Sequence, residues 1–151
     1  MAETEMKETR ISKMMDLFGG KIYRLGEGHA RGVLPLTELV MQPTRVYHAG
    51  AIISLADEVA SAALSDHEGD TDPTISKLFP YSIAINTNLL TNDPVGPITA
   101  EAFVVRRGRV AVVETKVMTS TGQLMTMVTS SHLMVDPKKT GPHLKPKLQE
   151  K

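Results

Sequence analysis

Asp57 and Glu58 are the only charged residues between His48 and Leu64, in a stretch otherwise made of Ala, Ile, Leu, Val, Gly and Ser. An unpaired charge in so apolar a segment is costly, so each carboxylate must lie at an opening, find hydrogen-bond partners or protonate. Either both occupy one narrow solvent-facing stripe, or at least one is a general base or nucleophile whose pKa is set by its surroundings. The same segment begins at His48, Ala49 and Gly50, shortly after Pro43. A helix starting there leaves backbone N–H groups unsatisfied at the positive end of its dipole, where they suit an oxyanion. His48 itself reads first as a capping or packing residue.

Spacing decides whether the two elements meet. Asp57 lies eight residues after Ala49 and nine after His48, which at about 100° per residue gives offsets of roughly 80° and 180° and an axial separation of about 12–13 Å. One helix cannot aim both at the same atom. Two copies packed antiparallel across a two-fold axis can, which leads us to expect at least a homodimer with two equivalent sites, and a homotetramer as a dimer of dimers.

The composition of the chain limits what else is available. Its 151 residues carry 17 basic and 17 acidic side chains, no Cys and no Trp. Cysteine chemistry, disulfides and thiolate metal sites are therefore absent. The balanced charge gives no whole-chain reason to expect nucleic acid as a partner. The start, MAETEMKETR, is charged throughout and the longest largely apolar stretch is too short to span a bilayer, so a cytoplasmic protein with no membrane partner is expected. The histidines have no metal-ligand spacing, and we expect neither a metal nor a resident cofactor.

The elements that position these residues follow from periodicity. Glu3 to Phe18 has helix-forming composition and ends at Gly19-Gly20, so residues 1–20 read as an N-terminal helix. Lys21 to Met41 reads as one or two extended segments, the second over about 30–40. Gly26, Gly28 and Gly32 read as turn residues. His48 to His67, HAGAIISLADEVASAALSDH, is apolar at almost every angular position and reads as a long helix buried on most sides. Glu68 to Pro80 reads as a loop. Beyond it Ile83, Ile85, Thr87 and Leu89 alternate with Ser82, Ala84, Asn86 and Asn88, as in a strand with two unlike faces. Three long strands follow, 98–106, 110–119 and 123–135, with Gly108 and Gly122 at junctions where a hairpin can use positive φ. Residues 21–135 thus form one α+β domain, a sheet curled around a central helix. Residues 136–151, with five Lys and three Pro, read as a flexible basic tail.

The run HAGAIISLADEVASAAL resembles the HGGxxxxLAD helix of the hotdog-fold thioesterases, of the phenylacetic-acid-degradation type and its 4-hydroxybenzoyl-CoA thioesterase relatives. The likeness continues through YSIAINTNLLTNDPVGPITAEAFVVRRGRVAVVETKV and covers about residues 31–135. It implies a hotdog fold and hydrolysis of an acyl-CoA to a carboxylic acid and free CoA, with CoA entering only as part of the substrate. Carried over by position, Ala49 is the oxyanion donor with Gly50 beside it, and Asp57 of the partner subunit is base or nucleophile. Ser82 matches a water-orienting hydroxyl, and Arg106, Arg107 and Arg109 match basic residues that face the CoA phosphates. Ala49 stands where Gly is usual, and Gln42 stands where an Asn commonly supports the site.

The chemistry asks for little more. A thiol with a pKa near about 8.5 leaves as thiolate without a strong acid, so one carboxylate and preorganised N–H donors suffice. Glu58 is the reserve carboxylate, and Ser61 lies one turn beyond Asp57. Two alternatives stand beside this reading: a non-catalytic acyl-CoA-binding hotdog protein, consistent with Ala49 and Gln42, and a hotdog dehydratase or hydratase acting on acyl thioesters.

Overall fold

The computed structural model describes residues 6, 8, 9, 11–65, 78–136 and 139. Its elements are α1 (Lys13–Phe18), β1 (Lys21–Gly26), β2 (His29–Leu34), a 3-10 turn (Glu38–Val40), α2 (Ala49–Leu64), β3 (Phe79–Leu89), β4 (Ile98–Arg106), β5 (Val110–Met118) and β6 (Leu124–Val135). The six strands form one sheet in the order β1-β2-β4-β5-β6-β3, and every adjacent pair is antiparallel. α2 packs against the inner face of that curved sheet, giving the expected α+β architecture of a long helix wrapped by strands.

Helix α2 buries Ile52, Leu55, Ala56, Val59, Ala60, Ala63 and Leu64. Burial of each large aliphatic side chain contributes about 1.5–3 kcal/mol. Gly32 of β2 lets the helix approach this closely: a Cβ there would stand 2.4 Å from Val59 Cγ2 and 3.0 Å from Leu55 Cδ1. Gly32 is thus the seat of the helix and not a turn residue, whereas Gly28, at φ 71°, lies in the β1–β2 hairpin. One stripe of α2, made of Ile53, Ser54, Asp57, Glu58 and Ser61, is only half-buried. The helix is therefore not enclosed on all sides, and both carboxylates lie on its open stripe.

Several boundaries differ from the sequence reading for local reasons. The first helix starts at Lys13 because Ser12 Oγ accepts from Met15 N–H at 3.1 Å as its cap. Before it, Thr9 N–H donates to Ile22 O and Glu8 bridges Tyr23, so this segment lies extended along β1. β2 stops at Leu34 because Pro35 follows and has no N–H for the ladder. Phe79 and Pro80, read as loop, open β3. Gly122 adopts φ 83° at its hairpin, but Gly108 does not use positive φ, and the β4–β5 pair instead shifts register between Val104 and Arg106.

Most of the loop reading at 68–80, the end of the long helix at 66–67 and most of the basic tail lie outside the described residues. Among the described residues, no helix is long and apolar enough to cross a membrane.

The two edges of the sheet are unlike. β1 is flanked by Glu8 and Thr9, whereas no described strand pairs with the far side of β3. Tyr81, Ile83, Ile85 and Leu89 on that strand are exposed, as is Leu90 beyond it.

Candidate active site

The first half of the site is the start of α2, held by the loop before it. His48 N–H donates to Val40 O at 2.8 Å, Met41 bridges Tyr47, and Gln42 N–H donates to Val46 O at 2.9 Å. Asn92 grips the Tyr47 backbone from both sides, accepting from Tyr47 N–H on Oδ1 at 3.0 Å and donating from Nδ2 to Tyr47 O at 2.9 Å. The Tyr47 hydroxyl donates to Leu34 O at 2.7 Å. Burial pushes that phenol up to about 12, so it remains a donor.

His48 is the N-cap: its Nδ1 accepts from Gly50 N–H at 2.9 Å. The cap satisfies Gly50, while Ala49 N–H has no acceptor among the described residues. Of the two neighbouring donors expected from sequence, the available one is therefore Ala49. Gln42 Nε2 donates to Thr44 Oγ1 at 2.8 Å within its own loop.

The second half of the site gathers around Asp57. Ser82 Oγ donates to Asp57 Oδ1 at 2.5 Å, so the carboxylate takes its hydroxyl partner from β3 and not from Ser61. Ser82 Oγ also lies 3.3 Å from His132 Nδ1, and His132 Nε2 lies 2.8 Å from Ser130 Oγ. His132 is completely buried. Burial lowers its pKa below the ordinary histidine value, and the charge of Asp57 opposes that only in part. Asp57 Oδ2 has no partner among the described residues, which leaves one carboxylate oxygen for a substrate or water.

Strict alternation places Ser82 on the face opposite Ile85, away from the helix. The structure corrects this. Above residue 83 the pairing runs Ala84 with Ser131 and Ile85 with Ser130; below it, Ser82 pairs with His132 and Tyr81 with Leu133. Ile83 is thus an extra residue, a β-bulge, and it moves Ser82 to the inner face where His132, Ser130 and Ile85 point. His132, dismissed as a metal ligand, is a residue that sequence reasoning missed. Thr126, Val128, Ser130 and His132 all fall on one face of β6, and that polar run on a core-facing strand was the available signal.

Within one chain the two halves stay apart, since Ala49 and Asp57 belong to the same helix and are separated by about 12 Å along its axis. Glu58 shares the half-buried stripe with Asp57. Arg106, Arg107 and Arg109 are exposed at the β4–β5 hairpin. That hairpin lies at the Ser82 end of the sheet, because Arg106, Val112, Ser131 and Ala84 form one row across β4, β5, β6 and β3. Three strand spacings put Arg106 about 14 Å from β3. Arg106 and Arg107 line an open groove of about 520 Å³ with His29 and Phe103, and Arg107 Nε stands 3.9 Å from Glu27 Oε1. Among the described residues no group of three or more His, Asp or Glu is placed to hold a metal ion.

A hydrogen-bonded series running from buried His132 through exposed Ser82 to a helix carboxylate, together with an unsatisfied N–H at the helix start, is a set suited to attack on an activated carbonyl. Residues 45–126 match the family model of the thioesterase superfamily, and the chain belongs to that superfamily. Solved structures agree on the fold. A thioesterase from Haemophilus influenzae is 24% identical, with a TM-score of 0.70 over 81% of this chain and 82% of that one. The PaaI protein from the phenylacetic acid degradation operon of E. coli is 18% identical, with a TM-score of 0.70 over 82% of this chain and 85% of that one. A hypothetical thioesterase protein from Streptococcus pneumoniae, solved with coenzyme A, is 15% identical, with a TM-score of 0.64 over 77% of this chain and 88% of that one. At these identities the likeness establishes the hotdog fold. No curated protein matches the chain.

Proposed function

We propose that the protein is an acyl-CoA thioesterase whose active site is completed by a second copy of the chain. The observation that carries this reading is the Asp57 carboxylate, held at one oxygen by Ser82 and unpartnered at the other, on the open stripe of α2. The Ala49 N–H of one protomer receives the thioester oxygen, and Asp57 of its partner activates water or attacks the carbonyl. The tetrahedral oxyanion is stabilised where a helix dipole and a backbone donor coincide. Collapse expels the CoA thiolate, which needs no strong acid. In the water route Asp57 takes the proton of the attacking water. In the attack route water then hydrolyses the anhydride between the acyl group and Asp57, which releases the acid and frees the carboxylate.

Assembly through the open edge of β3 is consistent with its exposed apolar side chains. Arg106, Arg107 and Arg109 supply the cations for the CoA phosphates, with guanidinium geometry matched to phosphate oxygens. The match to the thioesterase superfamily supports the reaction class, and the coenzyme A bound to the Streptococcus pneumoniae protein supports the leaving group.

The test is a thiol-release assay on short, long and aromatic acyl-CoAs, run beside an Asp57→Ala variant whose folding is checked by circular dichroism. Release of free CoA by the wild type and its loss in the variant are expected. Retained turnover in Asp57→Ala removes Asp57 from the mechanism. Tight acyl-CoA binding without CoA release favours the non-catalytic binder, and hydration of crotonyl-CoA favours a hydratase.

A further inference from the structure

His132 and Ser130 lie beyond the groups that the proposed reaction uses, yet they join Asp57 through Ser82 in an unbroken series of polar contacts. The direction of each hydrogen bond follows from donor counting. An ionised carboxylate only accepts, so the single hydroxyl proton of Ser82 is committed to Asp57 Oδ1. The contact between Ser82 Oγ and His132 Nδ1 then requires the imidazole to be the donor there. A fully buried imidazole is most stable neutral, so its other nitrogen, Nε2, is bare and accepts from Ser130 Oγ–H.

We infer that His132 is a positioning residue for the proposed Asp57 chemistry: a neutral imidazole protonated at Nδ1, at the head of a polarised series running Ser130 to His132 to Ser82 to Asp57. Its role is to donate into a lone pair of Ser82, so that the Ser82 O–H stays directed at Oδ1 and Oδ2 is left for the substrate. The inference rests on the thioesterase reading for its catalytic consequence, but not for its proton assignment. Reversed bonds are incompatible with the charge of Asp57, because a bare Nδ1 would take the Ser82 proton away from the carboxylate or meet Ser82 lone pair to lone pair. The β-bulge at Ile83 and the register of β3 on β6 hold the two residues opposite each other, which is why the contact depends on fold and not on a flexible side chain.

The test has one arm that reads protons and one that reads rates. In the full-length protein labelled with nitrogen-15 at histidine, the His132 ring at neutral pH is expected to show a protonated Nδ1 and an unprotonated Nε2. A ring protonated at Nε2 only, or at both nitrogens, overturns the inference. In the rate arm, Asn at position 132 places an amide N–H about where Nδ1–H stands, whereas Gln reaches toward Ser130 and withdraws the donor from Ser82. His132→Gln is expected to lower kcat about tenfold with KM nearly unchanged, the size of one hydrogen bond to the reacting machinery, while His132→Asn retains most of kcat.

Equal losses in folded Asn and Gln variants overturn the positioning role. A wild-type protein that shows the Nδ1 proton but hydrolyses no thioester sinks the proposed function and supports the proton assignment. An active wild type with the proton on Nε2 sinks this inference alone.

Discussion

Ser82 and His132 face each other across β3 and β6 because Ile83 bulges out of the ladder, which shifts the lower part of β3 by one residue relative to its upper part. Without the bulge Ser82 would oppose Leu133 and point away from α2, and Asp57 would lose its hydroxyl partner. A single extra residue thus connects strand register to the state of a carboxylate on a helix.

Deleting Ile83 removes the extra residue but leaves Ser82 opposite His132 and alternating with Ala84, so Ser82 still faces Asp57. Ser82→Ala is expected to lower kcat about ten- to a hundredfold below wild type, as for loss of a hydrogen bond to a charged group, whereas the deletion keeps most of it. A steady-state comparison of the two variants checks this, and a deletion variant as impaired as Ser82→Ala means that the local twist of the bulge, and not register alone, aims Ser82 at Asp57.

Ala49 is the first residue of α2 after its cap. Proline is well accepted at that position and differs from Ala chiefly in lacking the N–H. His48 already has φ −66° and ψ 137°, a conformation compatible with a following proline. Ala49→Pro is therefore expected to leave the melting temperature nearly unchanged and to lower kcat about 10²–10³-fold, the usual result of removing one oxyanion donor. Unchanged kcat in the folded variant means that the oxyanion is bound elsewhere.

Mixing tests whether one site is built from two chains. Ala49→Pro and Asp57→Ala are each expected to be inactive alone. A mixed dimer contains one site carrying both substitutions and one carrying neither. After subunit exchange, an equal mixture is expected to recover about a quarter of wild-type activity. No recovery, with exchange verified by mass spectrometry, places both groups of each site in one chain.

Asp93 predicts a pH dependence of stability separate from catalysis. Its carboxylate is buried, which by itself raises the pKa, but N–H donors from Val95 and Gly96 at 2.7 Å and from Ser120 outweigh burial and lower it to about 2 from 3.8. A depressed folded-state pKa contributes stability that is fully present above the unfolded value and is lost as pH falls through the folded one. The gap corresponds to about 2 kcal/mol at neutral pH. Asp93→Asn is expected to unfold at lower urea concentration at pH 7, with its difference from wild type shrinking as pH falls from roughly 4 toward 2. A difference that does not vary over that range assigns the effect to packing.

Gly32 predicts a steric limit. Gly32→Val places a side chain where Val59 and Leu55 already stand, and a loss of about 1–3 kcal/mol in unfolding free energy is expected. Denaturant titration checks it, and an unchanged midpoint means that α2 can lift away from β2.

Much of the fold was legible because it rests on strong local patterns. The apolar run from Ala49 to Leu64 and the strands at 98–106, 110–118 and 124–135 have enough length and periodicity to identify themselves. Asp57 was legible as a charge in an apolar helix. The contacts that define its surroundings were not. Ile83 looks like an ordinary member of an alternating strand, and only pairing with β6 shows it to be extra. His132 lies 75 residues beyond Asp57 in sequence, so no local spacing connects them. Asn92 holds the start of α2 from a loop 45 residues beyond Tyr47. Composition near Met6 to Ser12 favoured helix, but backbone bonds to β1 held part of that stretch extended.

The open edge of β3 also bears on the life of the protein before it meets substrate. Eleven residues of strand, unpaired on one side among the described residues and with Ile83, Ile85 and Leu89 exposed, form a template on which an extended chain can pair. On the proposed two-chain site, a freshly folded protomer is in competition between its mate and aggregation, and the outcome depends on how fast copies are made relative to how fast they meet. Under that proposal, escape from aggregation is a kinetic property of assembly, set by the same strand that carries Ser82.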